Sequence, residues 1–245
     1  MTEDLKALVG QLSNLSNKDD IVSKLQEINQ CFLQKYMLDI SGFKIYPVEV
    51  EIYYYKEINN KIIFNDGLCH KNKLQNGFVD NNKERFGKIY FHRMRNGTLN
   101  TGQGGIDVCL SLGNYFLSIL IRSAYINGKI ECGINKILQK VLEIEQFAKV
   151  TDELKKKYSE IEGKSNILKE RDNKIYNSFI SHPRIKGKKY FYEIVEYENN
   201  KYPLNTLICD ELKNLKSSPY FYTIKRKKDI ENLLSSSKKI TISCI

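Results

Sequence analysis

Phe43-Lys44-Ile45-Tyr46-Pro47-Val48-Glu49-Val50-Glu51-Ile52-Tyr53-Tyr54-Tyr55 alternates in side-chain character. Val48, Val50, Ile52 and Tyr54 share one parity; Glu49, Glu51, Tyr53 and Tyr55 share the other. A period of two is that of a β-strand, with one face buried and one polar. Further strands are expected at Lys88–Arg93, Ile106–Leu112 and Tyr115–Ala124, with a polar loop over Asn59–Arg85 and a Gly/Asn-rich connection over Asn96–Gly105. Residues 1–40 read as helical. Leu5, Leu8, Val9 and Leu12 form one stripe and Ile21, Leu25, Ile28 and Phe32 another, with Ser16 and Asp19 as a capping box between them.

A helix is expected from Ile134, where Ile137, Leu138, Val141 and Leu142 continue a narrow apolar face. Thr151–Arg171 is highly charged and reads as an exposed helix or loop. Tyr190–Tyr197 and Tyr220–Lys225 read as strands, and Asp229–Leu234 as a short helix. The order has no βαβ rhythm. The expected fold class is α+β, a single domain on a curved, mainly antiparallel sheet with flanking helices.

The 245 residues carry 39 Lys and Arg against 29 Asp and Glu, a net charge of +10, which points to a polyanionic partner such as nucleic acid. Hydrophobic residues are 41% of the chain, enough for a core, which argues against wholesale disorder. No run approaches the roughly 18 apolar residues of a membrane span. The acidic start Met1-Thr2-Glu3-Asp4 is unlike a secretory signal, so a cytoplasmic location is expected. The six Cys are scattered, with no Cys-x-x-Cys pair, and read as reduced core thiols rather than zinc ligands.

Two carboxylates and a Tyr on one strand face are explained by solvation alone unless something buries them. Arg122 supplies a reason. It is a single cation in the apolar run Ser118-Ile119-Leu120-Ile121-Arg122. A buried Arg needs an anionic partner, so Glu51 and Arg122 are expected to meet across the sheet, as a structural pair or as the border of a site. His70 and His92, two of only three His, can line an aromatic slot with Tyr53 that stacks a nucleobase. Basic runs at Lys155–Lys157, Lys186–Lys189 and Lys225–Lys228, with His92-Arg93-Met94-Arg95, read singly as solvated surface and together as a phosphate-binding face.

These residues resemble the alkyladenine (3-methyladenine) DNA glycosylase family. Val48-Glu49-Val50-Glu51-Ile52-Tyr53 is similar to that family's V-E-T-E-A-Y strand, and His70 to the loop His that follows it. Gly87-Lys88-Ile89-Tyr90-Phe91-His92 resembles its G-x-L-Y-V-Y strand, with His92 in place of Tyr. Leu120-Ile121-Arg122-Ser123-Ala124 resembles L-L-R-A, and Gly133-Ile134-Asn135-Lys136-Ile137-Leu138 the start G-P-x-K-L. Pro183-Arg184-Ile185 and Pro219-Tyr220-Phe221-Tyr222 follow in the same order, so the resemblance runs over residues 43–225.

The resemblance implies a glycosylase-like domain over residues 41–245 behind an N-terminal helical segment of residues 1–40. It implies that Glu51 activates the water that attacks the anomeric carbon, with Arg122 beside it as a second catalytic residue. Tyr53, His70 and His92 would line the base pocket, with Asp107 and Cys109 in the region of the family's pocket Asn. Arg93, Met94, Arg95 and Lys136 would contact DNA. The family's hairpin carries an aromatic wedge before a Gly; here the segment reads Arg93-Met94-Arg95-Asn96-Gly97.

The expected activity is monofunctional hydrolysis of the N-glycosidic bond of a modified base flipped from DNA, as in base excision repair, by a monomer using no metal or other cofactor. Two other readings stand beside it: a non-catalytic nucleic-acid-binding protein of the same fold, and a hydrolase of free nucleosides or nucleotides.

Overall fold

The structure, a computed structural model, describes residues 3–66, 69, 86–92, 104–112, 115–159, 167–171, 179–183 and 205–209. For residues 179–183 and 205–209, and for His92, Ile130 and Cys132, it describes the backbone alone. Among the described residues, ten antiparallel-paired strands form one sheet that curls into a half-barrel with four flanking helices, an α+β arrangement.

The central strand is β2 (Phe43–Ile58), the alternating run of the sequence. One of its edges pairs along its length with β6 (Tyr115–Ile126). The other edge is shared by β1 (Tyr36–Ile40), β10 (Asn205–Cys209) and β3 (Lys61–Asn65). Outward from β6 come β5 (Gly105–Cys109) and β4 (Ile89–His92), while β7 (Lys129–Cys132) pairs farther along β6. β8 (Leu168–Glu170) lies on β1, and β9 (Phe179–Pro183) on β10.

The inner face of the sheet carries Val48, Val50, Ile52 and Tyr54 of β2 with Leu117, Ile119 and Ile121 of β6 and Val108 of β5, all buried. Helices α1 (Glu3–Gly10) and α2 (Lys18–Lys35) close this face. Leu5, Val9, Ile21, Leu25, Ile28 and Phe32, on the stripes expected from the sequence, are fully buried in the same core. Helix α3 (Ile134–Ile144) follows β7 and buries Ile137, Leu138, Val141 and Leu142. Helix α4 (Asp152–Tyr158) is capped by Thr151, whose hydroxyl accepts from the Leu154 amide, and buries Leu154 and Tyr158.

Several local expectations are corrected. Residues 36–40 are strand, not helix, because Ser41 and Gly42 (φ +50° and +85°) turn the chain back onto β2 in a two-residue hairpin. Asn59-Asn60 and Asn127-Gly128, also at positive φ, make the β2–β3 and β6–β7 hairpins, so a strand interrupts the expected polar loop. The cap of α2 is Asn17 rather than Ser16; its Oδ1 accepts from the amides of Asp19 and Asp20 at 2.8 and 3.2 Å. The charged region 151–171 contains α4 and β8. The elements expected at 190–197, 220–225 and 229–234, and the basic runs at 186–189 and 225–228, lie outside the described residues. No described helix is long and apolar enough to cross a membrane.

Candidate active site

The outer face of the sheet is organised in rows. Asp107, Leu120 and Glu51 stand opposite one another across β5, β6 and β2; Cys109, Ser118 and Tyr53 form the next row. At about 4.8 Å per strand, the ends of a row lie about 10 Å apart. On the far edge of β2, Thr206 stands opposite Glu51 and Ile208 opposite Glu49.

The ladder is broken where the carboxylates sit. Pro47 pairs with Ala124, Glu49 with Ser123 and Val50 with Ile121, so Val48 and Arg122 are each skipped. Proline has no N–H to give the ladder, and bulges are where strands tolerate it. Arg171 holds the irregularity from outside. Its guanidinium donates to the carbonyls of Pro47 (2.7 Å) and Tyr36 (2.6 Å) and lies 5.4 Å from the centroid of the Tyr46 ring. A bulge re-aims side chains, and here two consecutive residues of β6, Arg122 and Ser123, reach the same face.

The consequence is a buried network. Arg122 donates from Nη1 to Glu51 Oε1 at 2.6 Å and from Nε to Glu49 Oε1 at 3.1 Å. The Tyr53 hydroxyl donates to Glu51 Oε2 at 2.7 Å. The Ser123 hydroxyl donates to Glu49 Oε2 at 2.6 Å. Glu49 and Glu51 are each 1% exposed, while the Arg122 side chain keeps 20% of its surface. One guanidinium thus serves two carboxylates. Burial pushes Glu49 up to about 7, against the opposing pull of Arg122 and the Ser123 hydroxyl, and the nearby Glu51 adds to the rise.

Aromatic side chains border the network. Tyr53, Tyr55, Cys69 and Leu120 form one small cluster with Phe116 and Ile134 packed on it; Tyr90 and Cys109 form another against Phe116. Gly105 is small for a reason. A Cβ there would come within 2.9 Å of Leu120 Cδ1 and 3.2 Å of Ile134 Cβ, where the start of α3 meets this face.

The structure therefore brings Glu51, Tyr53 and Arg122 into direct contact. Asp107 and Cys109 are buried on the same face; Asp107 accepts from the Ser118 hydroxyl at 3.1 Å. Lys136 is exposed in the first turn of α3. His92 ends β4 opposite Gly105, with its backbone alone described. His70, Arg93, Met94 and Arg95 lie outside the described residues. Of the Lys155–Lys157 run, Lys155 pairs with Asp152 (2.6 Å) and Lys157 with Glu145 (2.5 Å), so two of these three charges are engaged within the chain.

Glu49 and Ser123 were not singled out as site residues from the sequence. The sequence signal near them is Pro47, beside the register shift that brings Ser123 to Glu49. Among the described residues, no group of His, Cys, Asp and Glu is placed to hold a metal ion. No family model matches this chain, and no curated protein matches it.

Proposed function

We propose that this chain is a monofunctional DNA glycosylase of the alkyladenine type, fold and activity together, with Glu51 as its general base. The observation that carries the reading is the grip on Glu51, whose two oxygens are held by Arg122 and the Tyr53 hydroxyl on the buried outer face. These are three of the positions at which the sequence resembles that family.

In this reading a modified base leaves the duplex stack and enters a pocket bordered by Tyr53, His70 and His92, with Asp107 and Cys109 at its floor. Glu51 takes a proton from a water, and the water oxygen bonds to the anomeric carbon. The glycosidic bond breaks with its electron pair leaving on the base. Arg122 favours the ionised form of Glu51 and fixes its direction; Tyr53 orients the second oxygen. The ionised carboxylate also stabilises the oxocarbenium-like character of the transition state. The step calls on no lysine nucleophile. The buried Lys56 is spent elsewhere, its Nζ donating to the carbonyls of Leu12, Ser13 and Leu15. Arg93, Met94, Arg95 and Lys136 meet the DNA, and the Arg93–Gly105 segment enters the duplex when the base leaves.

The test is base release from duplexes bearing a panel of modified bases, read by cleavage at the resulting abasic site. Release of at least one modified base, with undamaged duplex left intact, is expected. Binding to all duplexes without release would replace the enzyme with a non-catalytic binder. Hydrolysis of free nucleosides or nucleotides alone would replace DNA as the substrate.

A further inference from the structure

The reading above leaves Glu49 without a task, although it is buried as deeply as Glu51 and bonded to the same arginine. We propose that Glu49 is a positioning residue that controls the basicity of Glu51 through the Arg122 guanidinium they share. The proposal rests on the assignment of Glu51 as the general base.

The geometry makes the two carboxylates interdependent. Arg122 spends Nε on Glu49 (3.1 Å) and Nη1 on Glu51 (2.6 Å), so it cannot turn toward one without loosening its hold on the other. With Glu49 ionised, a second negative charge offsets Arg122, and Glu51 binds a proton more tightly, which makes it the stronger base. With Glu49 protonated, Arg122 acts on Glu51 alone and Glu51 is the weaker base.

The groups around Glu49 give it this range. On its own strand the ionisable neighbour is Glu51. From β6 come Arg122 and the Ser123 hydroxyl, at 2.6 Å. In register, β7 places Cys132 opposite Ser123, β10 places Ile208 opposite Glu49, and β5 places Asp107 two strands from Glu51. Burial raises Glu49 to about 7, so its proton comes and goes near neutrality.

A structural role for Glu49 and a positioning role differ in their pH signature. Wild-type base release under single turnover is expected to rise several-fold from about pH 6 to about pH 8 as Glu49 ionises. Glu49→Gln, which keeps the shape and fixes the neutral form, is expected to flatten that rise. Ser123→Ala, which removes a bond to the ionised form, is expected to move it to higher pH. A uniform loss at every pH in Glu49→Gln, with the rise intact, would overturn the proposal.

Carboxyl 13C NMR of the full-length protein labelled at glutamate gives a second readout that needs no activity. The Glu51 resonance, assigned with Glu51→Gln, is expected to shift as Glu49 titrates and to lose that shift in Glu49→Gln. A Glu51 resonance indifferent to Glu49 would reject the coupling even in an active glycosylase. Coupled resonances in a protein that releases no base would reject the glycosylase reading and leave the coupling standing.

Discussion

Lys56 and Glu49 lie on one strand, on opposite faces, and both are buried: Lys56 is 0% exposed and Glu49 1%. On the inner face, the three protons of the Lys56 ammonium meet three backbone carbonyls, Leu12 and Ser13 at 2.8 Å and Leu15 at 2.7 Å. These carbonyls belong to the 3-10 turn after α1 (Gln11–Asn14) and to the residue that closes it, where helix ends leave acceptors unpaired. On the outer face, Glu49 and Glu51 are held by side chains of which one, Arg122, serves both. A charge satisfied by backbone has partners that cannot titrate, and it fastens the α1–α2 corner to the sheet. A charge satisfied by other ionisable groups responds whenever one of them gains or loses a proton. The same strand thus carries a fixed tether on one side and an adjustable site on the other.

The largest effect on stability is expected from Arg122→Met. It leaves two buried carboxylates without a cation and should cost about 3–5 kcal/mol in urea unfolding near pH 8. Near pH 5 the loss should shrink, because carboxyl groups without a cation take up protons. A loss under about 1 kcal/mol at pH 8 would mean that the network is solvated rather than buried.

The second prediction concerns pH alone. Glu49 holds its proton up to about 7 when folded, against an ordinary value of 4.5. Between those values the folded state binds the extra proton, so stability falls as pH rises through that window and is greatest below it. The displacement corresponds to roughly 3 kcal/mol. Denaturant midpoints measured from about pH 4 to pH 8 should show this decline in wild type and a flatter profile in Glu49→Gln.

Lys56→Met tests the other face. It orphans carbonyls rather than charges and should cost about 1–3 kcal/mol. Burial holds the Lys56 ammonium below its usual range, but its carbonyl partners cannot titrate, so the cost should vary with pH less steeply than that of Arg122→Met. A cost that varied with pH as steeply as that of Arg122→Met would erase the contrast between the faces. The smallest effect belongs to the same corner. Asn17→Ala should cost about 1 kcal/mol by removing the cap of α2, while Ser16→Ala should be close to neutral in thermal melts.

Much of this architecture was legible in the sequence because alternation reports faces directly. The parity of Val48–Tyr55 separated the two faces of the strand, and the solitary Arg122 in an apolar strand identified its partner Glu51 from the cost of burying charge. The hairpins were harder, since Ser41-Gly42 and Asn59-Asn60 are short turn signals beside stronger patterns: a helical stripe before one, a polar stretch after the other. The place of Glu49 depended on a register shift. Alternation assumes an unbroken ladder, and the bulge at Pro47–Glu49 brings Arg122 and Ser123 to one face although strict alternation would separate them. The roles given to His70 and to Arg93–Arg95 came from residue type and from resemblance, and those residues fall outside the described structure.

The central claim is that the carboxylate held by Arg122 and Tyr53 activates water for base release. Its most direct test is the single-turnover rate of Glu51→Gln beside wild type, on whichever modified duplex wild type cleaves best, with DNA affinity measured in parallel. Gln keeps the side-chain shape but cannot accept the water's proton. The rate should fall by about 10² to 10⁴ while affinity stays nearly unchanged. A Glu51→Gln rate within a few-fold of wild type would remove Glu51 from the chemistry and contradict the account.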